Sequence, residues 1–139
     1  MMVGMDLTSK AIFYFSLTGN TKAILDNVSG FDIYDIETAT NEFENYDVIV
    51  IGLPSYGRGQ PHEKTWNFLR RIMQVRGKKI ALYGSGQTIY RESYGGAIDG
   101  MENILKVNND ILFKFKFESY PTQEARAEFE SLMNRIGEM

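Results

Sequence analysis

Residues 11–25 read AIFYFSLTGNTKAIL, and this stretch decides the fold. Its first six residues, AIFYFS, are a short apolar run rich in aromatic side chains, as expected of a strand. Residues 20–28, NTKAILDNV, carry Ile24, Leu25 and Val28 at helical spacing. A strand that runs through a tight polar turn into a helix opens a β-α unit, and the same alternation continues along the chain. Residues 31–35 alternate apolar and polar side chains and read as a second strand. VIVI at 48–51 is continuously apolar and β-branched, the mark of a strand covered on both faces. Trp66, Leu69, Ile72 and Met73 mark a helix over 63–75, with Trp66 expected in the core. Residues 79–83 read as a strand, and Ile98, Met101, Ile104 and Leu105 mark a helix over 97–107. Over 111–117, Ile111, Phe113, Phe115 and Phe117 are expected on one face as core, with Lys114 and Lys116 on the other. Thr122 is placed to cap a last helix carrying Phe129, Leu132, Met133 and Ile136.

Alternating strands and helices with no repeat or linker imply one α/β domain over residues 1–139. Right-handed crossovers reduce the topologies to few. The expected one is a three-layer sandwich: a five-stranded parallel sheet of order 2-1-3-4-5 with helices on both faces. Ligands of such sheets sit outside the carboxyl ends of the strands, here the loops after strands one, three and four. Composition narrows the function. A net charge of −3 argues against nucleic acid, whose binding depends on neutralising phosphates. The chain has no cysteine, which excludes disulfides, iron–sulfur clusters, zinc–thiolate sites and thiol catalysis. No apolar run reaches membrane-spanning length, and residues 1–9 are too short and polar for a secretory signal. The expectation is a cytoplasmic monomer.

The loops carry the chemistry. Ser16-Leu17-Thr18-Gly19-Asn20-Thr21 places three hydroxyls and a glycine between a strand and a helix start. Such a turn suits a phosphate, through backbone N–H groups at the helix terminus and uncharged hydroxyl donors. The same composition suits a plain helix cap equally well. Pro54-Ser55-Tyr56-Gly57 follows the third strand and sets a tyrosine beside a flexible backbone, fitting either a stacked planar ligand or an ordinary surface loop. Gly84-Ser85-Gly86-Gln87, with Tyr90 beyond it, repeats the pairing after the fourth strand. Its Gly-x-Gly start is no dinucleotide fingerprint, because Ile89 stands where the third glycine belongs. One loop suited to a phosphate and two presenting aromatic rings, all at one sheet edge, fit a ligand with a phosphate tail and a planar head. FMN is such a ligand.

On these residues the chain resembles the flavodoxins. Ser16 to Thr21 is similar to their hydroxyl-x-Thr-Gly-x-Thr turn, 52–57 to their loop bearing an aromatic over the flavin, and 78–86 with Tyr90 and Gly96-Ala97-Ile98-Asp99 to their third region. The resemblance implies that Ser16, Leu17, Thr18, Gly19, Asn20 and Thr21 surround the FMN phosphate. It implies that Pro54 and Ser55 lie near the ribityl chain, and that Tyr56 with Gly57 and Tyr90 flank the isoalloxazine. Gly84, Ser85, Gly86 and Gln87 would border its pyrimidine edge. It implies an electron carrier with redox protein partners, a reductase and an acceptor. Two features depart from the common pattern. The first helix is short, similar to NrdI, the flavodoxin-like activator of class Ib ribonucleotide reductase, whose small subunit would then be the partner. Gln87 stands where an acidic residue is common, and Arg58 and Arg91 lie in the ring-flanking loops.

The remaining polar residues read as structural. His62, the only histidine, lies beside Pro61 at a helix start and reads as exposed. Glu42, Glu44 and Asp47 read as a solvated edge, and Lys78 and Lys79 as a turn. No nucleophile–base pair is legible, so the reading is a carrier without a substrate site of its own. A quinone or nitro reductase, and a fold that has lost its flavin, are less well supported.

Overall fold

The computed structural model describes residues 9–16, 19–55, 61–86, 96–118 and 120–138. They form one parallel sheet: β1 (Lys10–Tyr14), β2 (Asp32–Asp35), β3 (Val48–Gly52), β4 (Lys79–Gly86) and β5 (Asp110–Glu118). The order is β2-β1-β3-β4-β5, as the alternation predicts. β1 pairs with β2 and β3, Tyr14 lying opposite both Asp35 and Gly52, and Gly52 lies opposite Tyr83 of β4.

Period-two alternation divides the apolar residues between two cores. Phe13, Ile49, Ile51, Ile80 and Leu82 face α2 (Trp66–Ile72) and α3 (Gly96–Leu105). Ile12, Val48, Val50, Ala81 and Tyr83 face α1 (Asn20–Ala23) and α4 (Gln123–Gly137). VIVI supplies both faces at once, hence its unbroken apolar character. Thr122 caps α4 by accepting from Ala125 N–H at 3.1 Å, as expected.

Four expectations are corrected. Trp66 is 54% exposed. At about 100° per residue, Thr65, Phe68, Leu69 and Ile72 share one arc about 100° wide, and Trp66 falls outside it. Ile104 is likewise exposed, while Ala97, Ile98, Met101 and Leu105 carry the buried stripe of α3. The register of β5 slips where Ile80 pairs with Ile111 but Ala81 with Phe113, so Leu112 is an extra residue. Ile111 therefore packs in the α2–α3 core, and Phe113, Phe115 and Phe117 in the α1–α4 core.

The fourth correction is α1, which occupies 20–23 rather than 20–28. Leu25, Asp26 and Val28 donate to the carbonyls of Lys22, Ala23 and Leu25, a tighter three-residue pattern. Arg126 of α4 donates to Ala23 O at 2.8 Å. Ile24 and Leu25 are nonetheless buried, as their spacing requires.

Candidate functional site

At the carboxyl ends of β1, β3 and β4 the ladder continues past the strands. Phe15 N–H donates to Gly52 O at 3.0 Å, Leu53 N–H to Tyr83 O at 3.1 Å, and Ser55 N–H to Ser85 O at 2.9 Å. These bonds hold the roots of the three loops side by side, at the switch point where crossovers from β1 and β3 leave in opposite directions.

Of the residues singled out in the sequence, Ser16, Gly19, Asn20, Thr21, Pro54, Ser55, Gly84, Ser85 and Gly86 are brought together here. Leu17, Thr18, Tyr56, Gly57, Gln87 and Tyr90 lie outside the described residues, as do Arg58 and Arg91. Gly19 adopts φ 92°, a left-handed conformation that favours glycine, and among the described residues no atom beyond its chain neighbours and its own helix backbone lies within 4 Å of where a Cβ would project. Its carbonyl accepts the first bond of α1, from Ala23 N–H at 2.8 Å, which leaves the Asn20 and Thr21 N–H groups without an intrahelical acceptor. Ser16 Oγ accepts from Lys22 N–H at 3.4 Å and keeps its own proton to donate. An open left-handed turn, orphan N–H groups and a free hydroxyl proton fit a phosphate ester. Because α1 is one turn long, its ends lie about 6 Å apart and their opposite partial charges largely cancel. What this turn offers an anion is therefore local donors, not a helix dipole.

Thr21 is buried, and its hydroxyl donates to Phe15 O, closing the turn from inside. Ser55 Oγ accepts from Ala97 N–H at 3.0 Å and so fastens the loop after β3 to the start of α3. Pro54, Gly84, Ser85 and Gly86 are buried. A Cβ at Gly84 would lie 2.5 Å from Leu53 O, so glycine there lets the two loop roots meet.

At this edge the sequence reading missed one residue and misplaced another. Tyr83 is wholly buried, and its hydroxyl donates to Thr21 O at 2.9 Å. Burial, with the nearby Tyr14, pushes its phenol well above the ordinary range, so it remains a donor. The only sequence signal was its place on the α1–α4 face directly before Gly84. His62 is half-buried rather than exposed. Its Nδ1 accepts from Lys64 N–H at 3.1 Å, and its ring lies 5.2 Å from that of Phe15.

Between α3 and β5, Asp99 pairs with Lys114 at 2.7 Å and Lys116 at 2.8 Å, and Glu102 with Lys114 at 2.9 Å. Burial raises the Asp99 carboxyl, but the hydrogen bonds from the two lysines together outweigh it and hold the carboxyl below its ordinary value. Lys78, expected to serve a turn, donates to Tyr46 O at 2.7 Å and Glu44 O at 3.2 Å at the opposite end of the sheet. No helix of the described residues is long and apolar enough to cross a membrane.

A family model described as flavodoxin domain matches residues 11–137. No curated protein sequence matches the chain. Among solved structures, the Streptococcus pneumonia TIGR4 flavodoxin aligns with a TM-score of 0.80 at 20% identity, covering 93% of this chain and 97% of that one. Oxidised Flavodoxin 1 from Bacillus cereus gives 0.77 at 22% identity over 92% and 98%. A Fusobacterium nucleatum flavodoxin bound to flavin mononucleotide gives 0.75 at 18% identity over 94% and 98%. At such identities the likeness establishes the fold.

Proposed function

The chain belongs to the flavodoxin family, and on that premise we propose that it binds FMN without a covalent link and carries electrons to a protein partner in the cytoplasm, as a monomer. The observation that carries this reading is the open Gly19 turn, with its orphan N–H groups, held beside the ends of β3 and β4. Ser16, Gly19, Asn20 and Thr21, with Leu17 and Thr18, surround the phosphate in this reading. Pro54 and Ser55 lie along the ribityl chain, Tyr56 with Gly57 and Tyr90 beside the ring system, and Gly84, Ser85, Gly86 and Gln87 at its polar edge. FMN supplies the one- and two-electron chemistry when bound. The chain's own residues bind and orient it: N–H groups and hydroxyls take the phosphate without adding charge, and the buried ends of β3 and β4 exclude water from one side.

The test is direct. The purified chain should be yellow and release FMN, not FAD, on denaturation, as read by mass analysis. Release of FAD, or failure to take up added FMN, refutes the proposal.

A second reading follows from the single turn of α1, a brevity similar to NrdI. In that role the chain would activate the dimanganese small subunit of a class Ib ribonucleotide reductase. Added in reduced form with oxygen to a manganese-loaded small subunit, it should then generate the subunit's radical; an ordinary carrier would not.

A further inference from the structure

The carbonyl of Thr21 needs a donor. In a longer α-helix Leu25 N–H would provide it, but α1 stops at Ala23 and Leu25 N–H turns to Lys22 O at 3.0 Å. The donor is the hydroxyl of Tyr83, 62 residues away in sequence. Tyr83 springs from β4 opposite Gly52, and its ring lies over Gly52, where any Cβ would overlap Cζ, Cε1 and Oη. The missing side chain at residue 52 leaves the ring its path across β3 toward α1. Phenylalanine would fill that path as well. A phenol buried this completely is unfavourable unless its hydroxyl is hydrogen-bonded, and the bond it makes is to Thr21.

We propose that Tyr83 is a positioning residue for the anion-binding turn. Its hydroxyl fixes the Thr21–Lys22 peptide from beneath, and through the Thr21 Cα it steadies the preceding turn that carries the Asn20 and Thr21 N–H groups, so that the site prefers a phosphorylated flavin over the same flavin without its phosphate. Thr21 is held at two points, its carbonyl by Tyr83 and its hydroxyl by Phe15 O. Releasing the first lets the turn rotate about the second. The selectivity rests on the FMN reading above; the restraint on the turn does not.

The test is Tyr83→Phe in the full chain, titrated with FMN and with riboflavin after removal of bound flavin. FMN affinity should fall about five- to tenfold, the worth of one well-made hydrogen bond, while riboflavin affinity changes less than twofold. Equal losses for both ligands, or no loss for either, overturn the proposal. Gly52→Ala, which pushes the same ring off its line, should show the same selective loss. Amide exchange of the flavin-free chain provides a readout independent of binding. Ala23 N–H, bonded to Gly19 O, should exchange about fivefold faster in Tyr83→Phe, while Ile51 in β3 is unchanged. An unchanged Ala23 overturns the positioning role. If the unaltered chain takes up no FMN, the reading of function fails, and the exchange ratio still decides what Tyr83 does.

Discussion

Gly52→Ala removes the passage on which Tyr83 depends. A Cβ at residue 52 would overlap three atoms at the end of the Tyr83 ring. The ring would have to retreat by roughly 1 Å or more before carbon atoms regained ordinary contact. It is wholly buried and packs against Phe129, with ring centroids 4.8 Å apart, in an interior as dense as a molecular crystal. Overpacking of this kind costs about 1–3 kcal/mol. Displacing the ring also breaks the Tyr83–Thr21 bond, worth about 1 kcal/mol, so the total is about 2–4 kcal/mol. For a chain of 139 residues the unfolding entropy is about 0.3 kcal/mol/K, and the melting temperature should fall by about 7–14 °C. Urea and thermal unfolding of the flavin-free chain measure this directly. Tyr83→Leu combined with Gly52→Ala should cost less than the two single changes added, because the new methyl enters space the ring has left. A Gly52→Ala loss below about 0.5 kcal/mol, the scale of a neutral surface change, would refute the argument.

Asp99→Asn should destabilise the chain by about 1–2 kcal/mol at neutral pH, its pairs being partly solvated and therefore modest. The folded carboxyl titrates below its ordinary value of 3.8, so its contribution is complete above that value and disappears as pH falls through the lower folded one. The gap between wild type and variant in urea unfolding should therefore shrink below pH 3.8, and a gap constant with pH would contradict this. Arg126→Met removes the donor to Ala23 O and the ion pair to Asp26, and should cost about 1 kcal/mol, with faster amide exchange over residues 24–28 as the check. Arg58→Glu with Arg91→Glu should lower the potential for the second electron, most visibly at low salt in a potentiometric titration, because added negative charge disfavours the more reduced cofactor.

What the sequence disclosed and what it hid have physical causes. Strand order was legible because strands and helices alternate, which with right-handed crossovers leaves few parallel topologies, and VIVI, having no polar face, must be covered on both sides. The loop roots were legible because glycine and hydroxyl residues gather there and nowhere else between a strand and a helix. Trp66 was misread because spacing to Leu69 ignores which arc the sheet covers, and that arc is fixed by Phe68 and Ile72. Ile111 was misread because a bulge leaves no mark on composition: the apolar alternation runs on while the partner strand skips one residue. The length of α1 was hidden because the donor that meets the carbonyl of its last residue is Arg126, more than a hundred residues away. Tyr83 was hidden for the same reason, since a core tyrosine and a tyrosine reaching a distant carbonyl share one sequence.

The inserted Leu112 has an effect beyond the core. A sheet open at both sides carries two rims of backbone groups on which another chain's strand could build. One rim, β2, is four residues long and bears Asp32 and Asp35 at its ends, too short and too charged to seed such growth. The other, β5, is nine residues long and would be the hazard. Its extra residue breaks the even spacing of donors and acceptors near the start of the strand. The residue that turns three phenylalanines toward α4 thus also makes the long rim a poor template for aggregation.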